Sequence, residues 1–270
     1  MSSRATLVCV HAHPDDEAFF GAGATARYSA LGHRVVLITC TNGQFGYDAA
    51  GRSGDQAHHD DLQTTATRSS ELRRSAAALG IARVVTLGYD DSGMMGWPQN
   101  KSSEAFMNAD VDAVARTIAS IMDEEDAIVV VTYDEHGFYG HPDHIQTNVV
   151  TRRAVELSST VERLYYTVVP EDIITSLREQ ATAQGLSMPA WMLDASLHVH
   201  DDLVATALDV SDHLGTQHDA MAAHATQIDN EDLVEMNHDL FSLLFSTEYY
   251  QRAWSRHVTH GDQTDLMGGL

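Results

Sequence analysis

Short apolar runs, rich in β-branched residues, recur along the chain at 6–10, 34–39 (RVVLIT), 83–87 (RVVTL), 127–132 (AIVVVT) and 163–169 (RLYYTVV). Runs this short and continuous predict buried strands. Longer helical segments lie between them. Residues 18–31 are Ala-rich and close at Gly32, 71–79 end at Gly80, 111–122 form an amphipathic pattern, and 145–157 read as a further helix. Glycine just past the last periodic residue is a helix stop signal. Strands alternating with helices predict an α/β fold on a mainly parallel sheet with right-handed crossovers. Two segments break the rhythm: 42–65, polar and rich in Gly, Asp and His, and 88–108, which contains DSGMMGWPQN. Long loops in a compact domain are functional or disordered. Beyond Pro170, residues 209–227 and 233–245 look like amphipathic helices. A soft boundary therefore falls near 170, with a larger unit over 1–170 and a C-terminal cap over 171–270 that can equally belong to one domain.

Charge and composition narrow the function classes. The chain has 270 residues, with 16 Lys and Arg against 39 Asp and Glu, a formal charge of −23. Such an acidic chain does not grip phosphate backbones, so nucleic acid is not an expected partner. Attachment to anionic lipid is disfavoured for the same reason. No apolar stretch approaches the ~18–20 residues of a membrane helix. The N-terminal apolar run is short and ends in carboxylates, unlike a signal peptide. Cys9 and Cys40 sit in apolar runs without a pairing pattern, which fits a reducing compartment, and the cytoplasm is the expected location. Lysine occurs only at Lys101. The acid-rich, lysine-poor surface suits either a GC-rich genome or a salty cytoplasm.

The chemistry concentrates in two places. His11-Ala12-His13-Pro14-Asp15-Asp16-Glu17 follows the first strand directly. Carboxyl ends of strands are where open α/β sheets build sites. Histidines and carboxylates crowded there are costly unless they face water or bind something. His plus carboxylate suits Zn²⁺, and of two adjacent carboxylates one can bind metal while the other takes a proton from water. The second cluster, residues 132–144 (TYDEHGFYGHPDH), follows the fourth strand, with His141 and His144 three apart and Pro142 suited to a first helical turn. Alone, a His-x-x-His pair says little; on the same sheet edge as the first cluster, the two can share a metal.

Together these motifs resemble the LmbE-like (PIG-L) de-N-acetylase superfamily, most closely the branch of the mycothiol-pathway deacetylase and the mycothiol S-conjugate amidase. The likeness extends through TNGQFG at 41–46, DSGM at 91–94, LYYTV at 164–168, AHATQ at 223–227 and TDLMGGL at 264–270. The resemblance implies a Rossmann-like fold, a sheet with helices on both faces, and one catalytic zinc. It implies His13, Asp16 and His144 as zinc ligands and Asp15 as general base. His141 becomes the imidazolium that stabilises the oxyanion or protonates the leaving amine, with Asp143 orienting it. Tyr139 would close over the tetrahedral intermediate, and Arg68 and Asp91 would hold sugar hydroxyls. Gln44 and Tyr47 stand where relatives often carry acidic residues, beside the expected position of the substrate's non-sugar portion. A His₂Asp site also accepts Fe²⁺ or Co²⁺.

Other polar residues have plainer readings. His11 is either a partner of the metal site or a hydrogen-bonded core histidine. His58 and His59, with Asp55, Asp60 and Asp61, read as a solvated flexible loop. Met94, Met95 and Trp97 either line an acceptor pocket or pack the loop, and Glu71 either anchors the loop carrying Arg68 or is a helix surface charge. His198, His200, His213, His218, His238, His257 and His260 are assigned to the surface. His224, inside AHATQ, is a candidate to reach the site from the cap. The expectation is a zinc-dependent amidohydrolase removing an N-acetyl or other N-acyl group from a glucosamine-containing small molecule such as N-acetylglucosaminyl-inositol. The alternatives are an amidase splitting the cysteinyl-glucosamine bond of a mycothiol S-conjugate, a secondary-metabolite glycoside deacetylase, and a non-catalytic sugar- or metal-binding protein.

Overall fold

The computed structural model describes residues 4–227, 231–257 and 264–270. All the runs read as strands form them: β1 (Thr6–His11), β2 (Arg34–Thr41), β3 (Arg83–Tyr89), β4 (Ala127–Thr132) and β5 (Arg163–Pro170). The helices interleaved with them are α1 (Asp16–Phe19), α2 (Ala22–Ala30), α3 (Asp61–Ala78), α4 (Val111–Glu124), α5 (Gly137–Gly140) and α6 (Pro142–Leu157). The remaining chain adds α7 (Glu171–Ala183), β6 (His198–Val199), β7 (Thr206–Asp209), α8 (Leu214–Ala222), α9 (Glu231–Val234), α10 (His238–Phe245) and β8 (Thr247–Ser255). The sheet runs β3-β2-β1-β4-β5-β8-β7, with β6 beside the end of β5. The first five of these strands pair in parallel; β8 is antiparallel to both β5 and β7.

Strand alternation splits the core. Val8, Val10, Val36 and Ile38 face α4 and α6 through Val114, Ile118, Met122 and Val150. Leu7, Cys9, Val35 and Leu37 face the opposite way, against Ala24 and Tyr28 of α2 and Leu72 of α3. Helices thus cover both faces, and continuous apolar strands are what such a sheet requires.

Several boundaries differ from the sequence expectations. The helix expected over 18–31 is two helices, broken at Phe20 and Gly21. Gly21 adopts φ 80°, and the Glu248 carboxylate of β8 accepts the Gly23 and Ala24 N–H groups at 2.8 and 2.9 Å. A distant carboxylate thereby caps α2, which no local pattern encodes. Helix α3 starts at Asp61, well before 71, because Asp60 caps it by accepting the Gln63 N–H. Residues 61–65 are therefore helical, not loop. The helix expected over 209–227 is confined to α8. That expected over 233–245 breaks before α10, where Asn237 accepts the Asp239 and Leu240 N–H groups. Strands β7 and β8 were not foreseen.

Candidate metal centre and active site

β1 connects to β2 on one side, whereas β4 flanks β1 on the other, so the chain reverses direction across β1. A crevice opens at the carboxyl ends of strands at such a switch point. His13 and Asp16 arrive from the β1 end, and His144 from the first turn of α6 after β4. One potential ligand atom from each lies within 4.8 Å of the others, and all three residues are buried. His13 Nδ1 stands 3.5 Å from Asp16 Oδ2, and His144 Nε2 stands 3.4 Å from Asp16 Oδ1. Among the described residues, neither His144 nitrogen has a hydrogen-bond partner. Buried imidazole nitrogens without partners, turned toward a carboxylate, fit a divalent cation of the Zn²⁺ class. Burial opposes charge on His13, but Asp91, Asp143 and Asp16 outweigh it and raise its pKa well above the usual range. The same excess of carboxylate would attract a cation. Tyr133, given no role from sequence, stacks on His144 with ring centroids 4.1 Å apart and donates its hydroxyl to Asp16 Oδ2 at 2.7 Å.

Asp15 has φ 124°, a backbone region that residues with a side chain rarely adopt, and such strain concentrates at functional sites. Two contacts hold it there. Arg68 Nη2 lies 3.0 Å from Asp15 Oδ1, and Glu17 Oε2 accepts the Asp15 N–H at 3.0 Å. Burial raises the Asp15 pKa and Arg68 opposes the rise. Arg68 also donates to the carbonyls of Gly43 and Pro14. His224 does reach this region from the C-terminal part of the chain. It meets Glu17, with Nε2 2.6 Å from Oε1, and not His13, Asp16 or His144. Burial disfavours charge on both; each nonetheless holds the other charged, so His224 is raised and Glu17 lowered.

His141 caps α6: its Nδ1 accepts the Asp143 N–H at 3.1 Å, leaving Nε2 to carry the ring proton. Burial, then the charges of His13 and His144, lower its pKa to about 2. The sequence expectation was a charged His141 oriented by the Asp143 carboxylate. The contact runs through the Asp143 backbone instead, and the carboxylate turns to Ser92 and His13. Tyr139 is 46% exposed, with its ring centroid 4.9 Å from that of His144. It follows Phe138, which has φ 62°, between Gly137 and Gly140, both also at positive φ. Asp91 Oδ1 lies 3.7 Å from His13 Nε2, and Gln44 accepts the Asp91 N–H.

The AHATQ segment ties together α1, α3 and the loop holding Tyr47. Beyond the His224–Glu17 pair, Glu71 accepts both the N–H and the hydroxyl of Thr226, and Gln227 exchanges hydrogen bonds with the Tyr47 backbone. Glu71 is thus no surface charge, and it anchors Thr226 rather than a loop carrying Arg68, which lies in α3 itself. His11 is a core residue between Phe20 and Tyr133, its pKa lowered to about 4 by burial. His59 is not solvated: its side chain is 3% exposed and its Nε2 lies 2.8 Å from the Gly46 carbonyl oxygen. His200, His238 and His257 are exposed, and His198, His213 and His218 half-buried; His260 lies outside the described residues.

A cavity of about 610 Å³ opens over the site. His13, Asp15, Asp16, Arg68, Asp91 and His141 line its polar part, and Met94 and Trp97 border it. Part of its wall is apolar: Ile173, Ile174 and Leu177 of α7, Met192, and Leu244 and Phe245 of α10.

Residues 8–155 match the family described as PIG-L: GlcNAc-PI de-N-acetylase. The chain belongs to this family. It is a hydrolase acting on N-acetyl amide bonds. A relative from Geodermatophilus obscurus, named 1D-myo-inositol 2-acetamido-2-deoxy-alpha-D-glucopyranoside deacetylase, is 37% identical, with 100% of this chain and 99% of the relative covered. Among solved structures, N,N'-diacetylchitobiose deacetylase from Pyrococcus horikoshii superposes with TM-score 0.60 at 16% identity, covering 93% of this chain and 84% of the other. A 4-carboxy-2-hydroxymuconate hydratase from Pseudomonas putida superposes equally, with TM-score 0.60 at 15% identity, covering 94% of this chain and 98% of the other. The fold is therefore common to different chemistries, and function must be argued from the site.

Proposed function

We propose that the chain is a zinc hydrolase that removes the N-acetyl group from a glucosamine-containing small molecule of the N-acetylglucosaminyl-inositol type. The observation that carries this reading is the buried His13, Asp16 and His144 group, with its potential ligand atoms within 4.8 Å, beside the strained carboxylate of Asp15. The name borne by the Geodermatophilus obscurus relative supports the substrate. His13, Asp16 and His144 would hold the cation, which when bound would lower the pKa of water towards ~7 and polarise an amide carbonyl. The chain's own groups do the rest. Asp15 takes the proton from the attacking water, and its burial moves its pKa upward, in the direction a general base needs. His141 donates its Nε2–H as a hydrogen bond to the developing oxyanion, and the proton taken by Asp15 passes to the departing amine as the C–N bond breaks. Tyr139 closes from its glycine-flanked turn. Asp91 and Arg68 receive sugar hydroxyls from the cavity wall. Buried, free Cys9 and Cys40 suit a cytoplasmic location.

The apolar part of the wall favours a second reading. Ile173, Ile174, Leu177 and Phe245 have little to offer a sugar or an inositol, but they suit an apolar substituent on a larger amide, such as a thiol conjugate of a cysteinyl-glucosamine. Primary-amine release from N-acetylglucosaminyl-inositol and from a mycothiol S-conjugate, measured side by side with zinc-loaded protein, separates the two. Preference for the first supports the deacetylase; preference for the second makes the chain a conjugate amidase. Release from neither above an Asp15→Ala control would overturn both.

A further inference from the structure

The Asp143 carboxylate is fully buried and receives an ordered set of donors. Ser92 donates its N–H to Oδ2 at 2.8 Å and its hydroxyl to Oδ1, while His13 Nε2 lies 3.2 Å from Oδ2. Ser92 is itself fully buried, and its Oγ accepts the Met107 N–H at 3.0 Å, which leaves its own proton for Asp143. The second nitrogen of His13, Nδ1, faces Asp16. A neutral imidazole has one N–H and one lone pair. With the Nδ1 lone pair turned to the metal group, the proton sits on Nε2, and Asp143 is the carboxylate within hydrogen-bond reach, since Asp91 stands 3.7 Å away.

We propose that Ser92 and Asp143 are positioning residues for the metal ligand His13. Ser92 fixes the Asp143 carboxylate, and Asp143 fixes the tautomer and ring orientation that aim Nδ1 at the cation. A carboxylate behind a metal-bound histidine raises the basicity of the ligand and restricts its rotation. Asp143 also lies with His13, Asp91 and His141 in a second group whose potential ligand atoms are within 4.8 Å of one another. A second cation there would need the Nε2 lone pair while Nδ1 served the first, stripping His13 of both ring protons. The hydrogen-bonded role keeps the ring neutral. This inference rests on the proposed metal centre.

Zinc affinity, measured by competition with a chromophoric chelator, tests it without reference to turnover. The comparison takes the full chain, Asp143→Asn, Ser92→Ala, and Glu125→Gln as a control altered far from the site. Wild type should bind one ion per chain. Asp143→Asn should bind zinc about 10–100-fold more weakly. Ser92→Ala should weaken binding in the same direction by less, and it carries the test if Asp143→Asn does not fold. The cobalt(II) absorption spectrum should shift in both, whereas Glu125→Gln should change neither readout. Unchanged zinc affinity and cobalt spectra in both site variants would overturn the inference while leaving the metal centre standing. Two ions per wild-type chain, one of them lost in Asp143→Asn, would also overturn it by making the second group a metal site. No zinc binding by wild type would overturn the metal centre itself, and the inference with it.

Discussion

Replacing His224 with leucine removes one partner of a buried ion pair. The two side chains are 0% and 2% exposed and meet at 2.6 Å, so the Glu17 carboxylate would keep its burial and lose its counter-charge. Breaking a buried pair from one side costs about 3–5 kcal/mol, because an uncompensated charge remains. In a chain of this length each kcal/mol moves the midpoint by about 2 °C, so Tm should fall by roughly 6–10 °C. Adding Glu17→Gln in the same chain should recover much of the loss, since no buried charge is then stranded. Circular dichroism melts in the presence of chelator keep metal occupancy out of the comparison. Zinc-reloaded His224→Leu should also turn over more slowly, because Glu17 holds the Asp15 N–H at 3.0 Å in its strained conformation. A His224→Leu midpoint within about 2 °C of wild type would refute the reasoning.

Other outcomes follow from the same geometry. Gly43 has φ 62°, and a Cβ there would lie 2.5 Å from Arg68 Nη1 and 2.8 Å from Pro14 Cδ. Gly43→Ala should therefore displace Arg68 from Asp15 at a cost of about 1–3 kcal/mol, read as lower Tm together with lower kcat. The Arg34 guanidinium, ahead of Arg83, holds the Glu125 carboxyl down to about 2 from an ordinary 4.5. That stabilisation is full above 4.5 and fades as pH falls toward 2, so Glu125→Gln should lower Tm at neutral pH and flatten its acid decline; a parallel pH curve would contradict this. Leu177→Ala, in the apolar part of the cavity wall, should raise KM about tenfold for an amide bearing an apolar substituent and leave N-acetylglucosaminyl-inositol unaffected; equal effects on both would remove this wall as a subsite.

How much of this was legible depends on the range of the interaction. Strands β1 to β5 and the two acidic-histidine clusters at their ends were readable, because continuous apolar runs and dense titratable residues are local signals. The start of α3 was not, since its first turns, DLQTTATR, are mostly polar and carry no apolar stripe. The break between α1 and α2 depends on Glu248, and the hold on α1 and α3 depends on His224 and Thr226, contacts that join residues 155 to 225 positions apart. Ser92 belongs to the DSGM run at 91–94, but only the fold brings it to Asp143.

Asp15→Asn tests the account most directly. The variant keeps the size of the side chain and removes the base. It should still bind one zinc per chain, as measured by elemental analysis, while amine release from the preferred substrate falls by about 10²–10⁴-fold. Wild-type turnover in a variant that holds its zinc would contradict the assignment of Asp15 and the mechanism built on it.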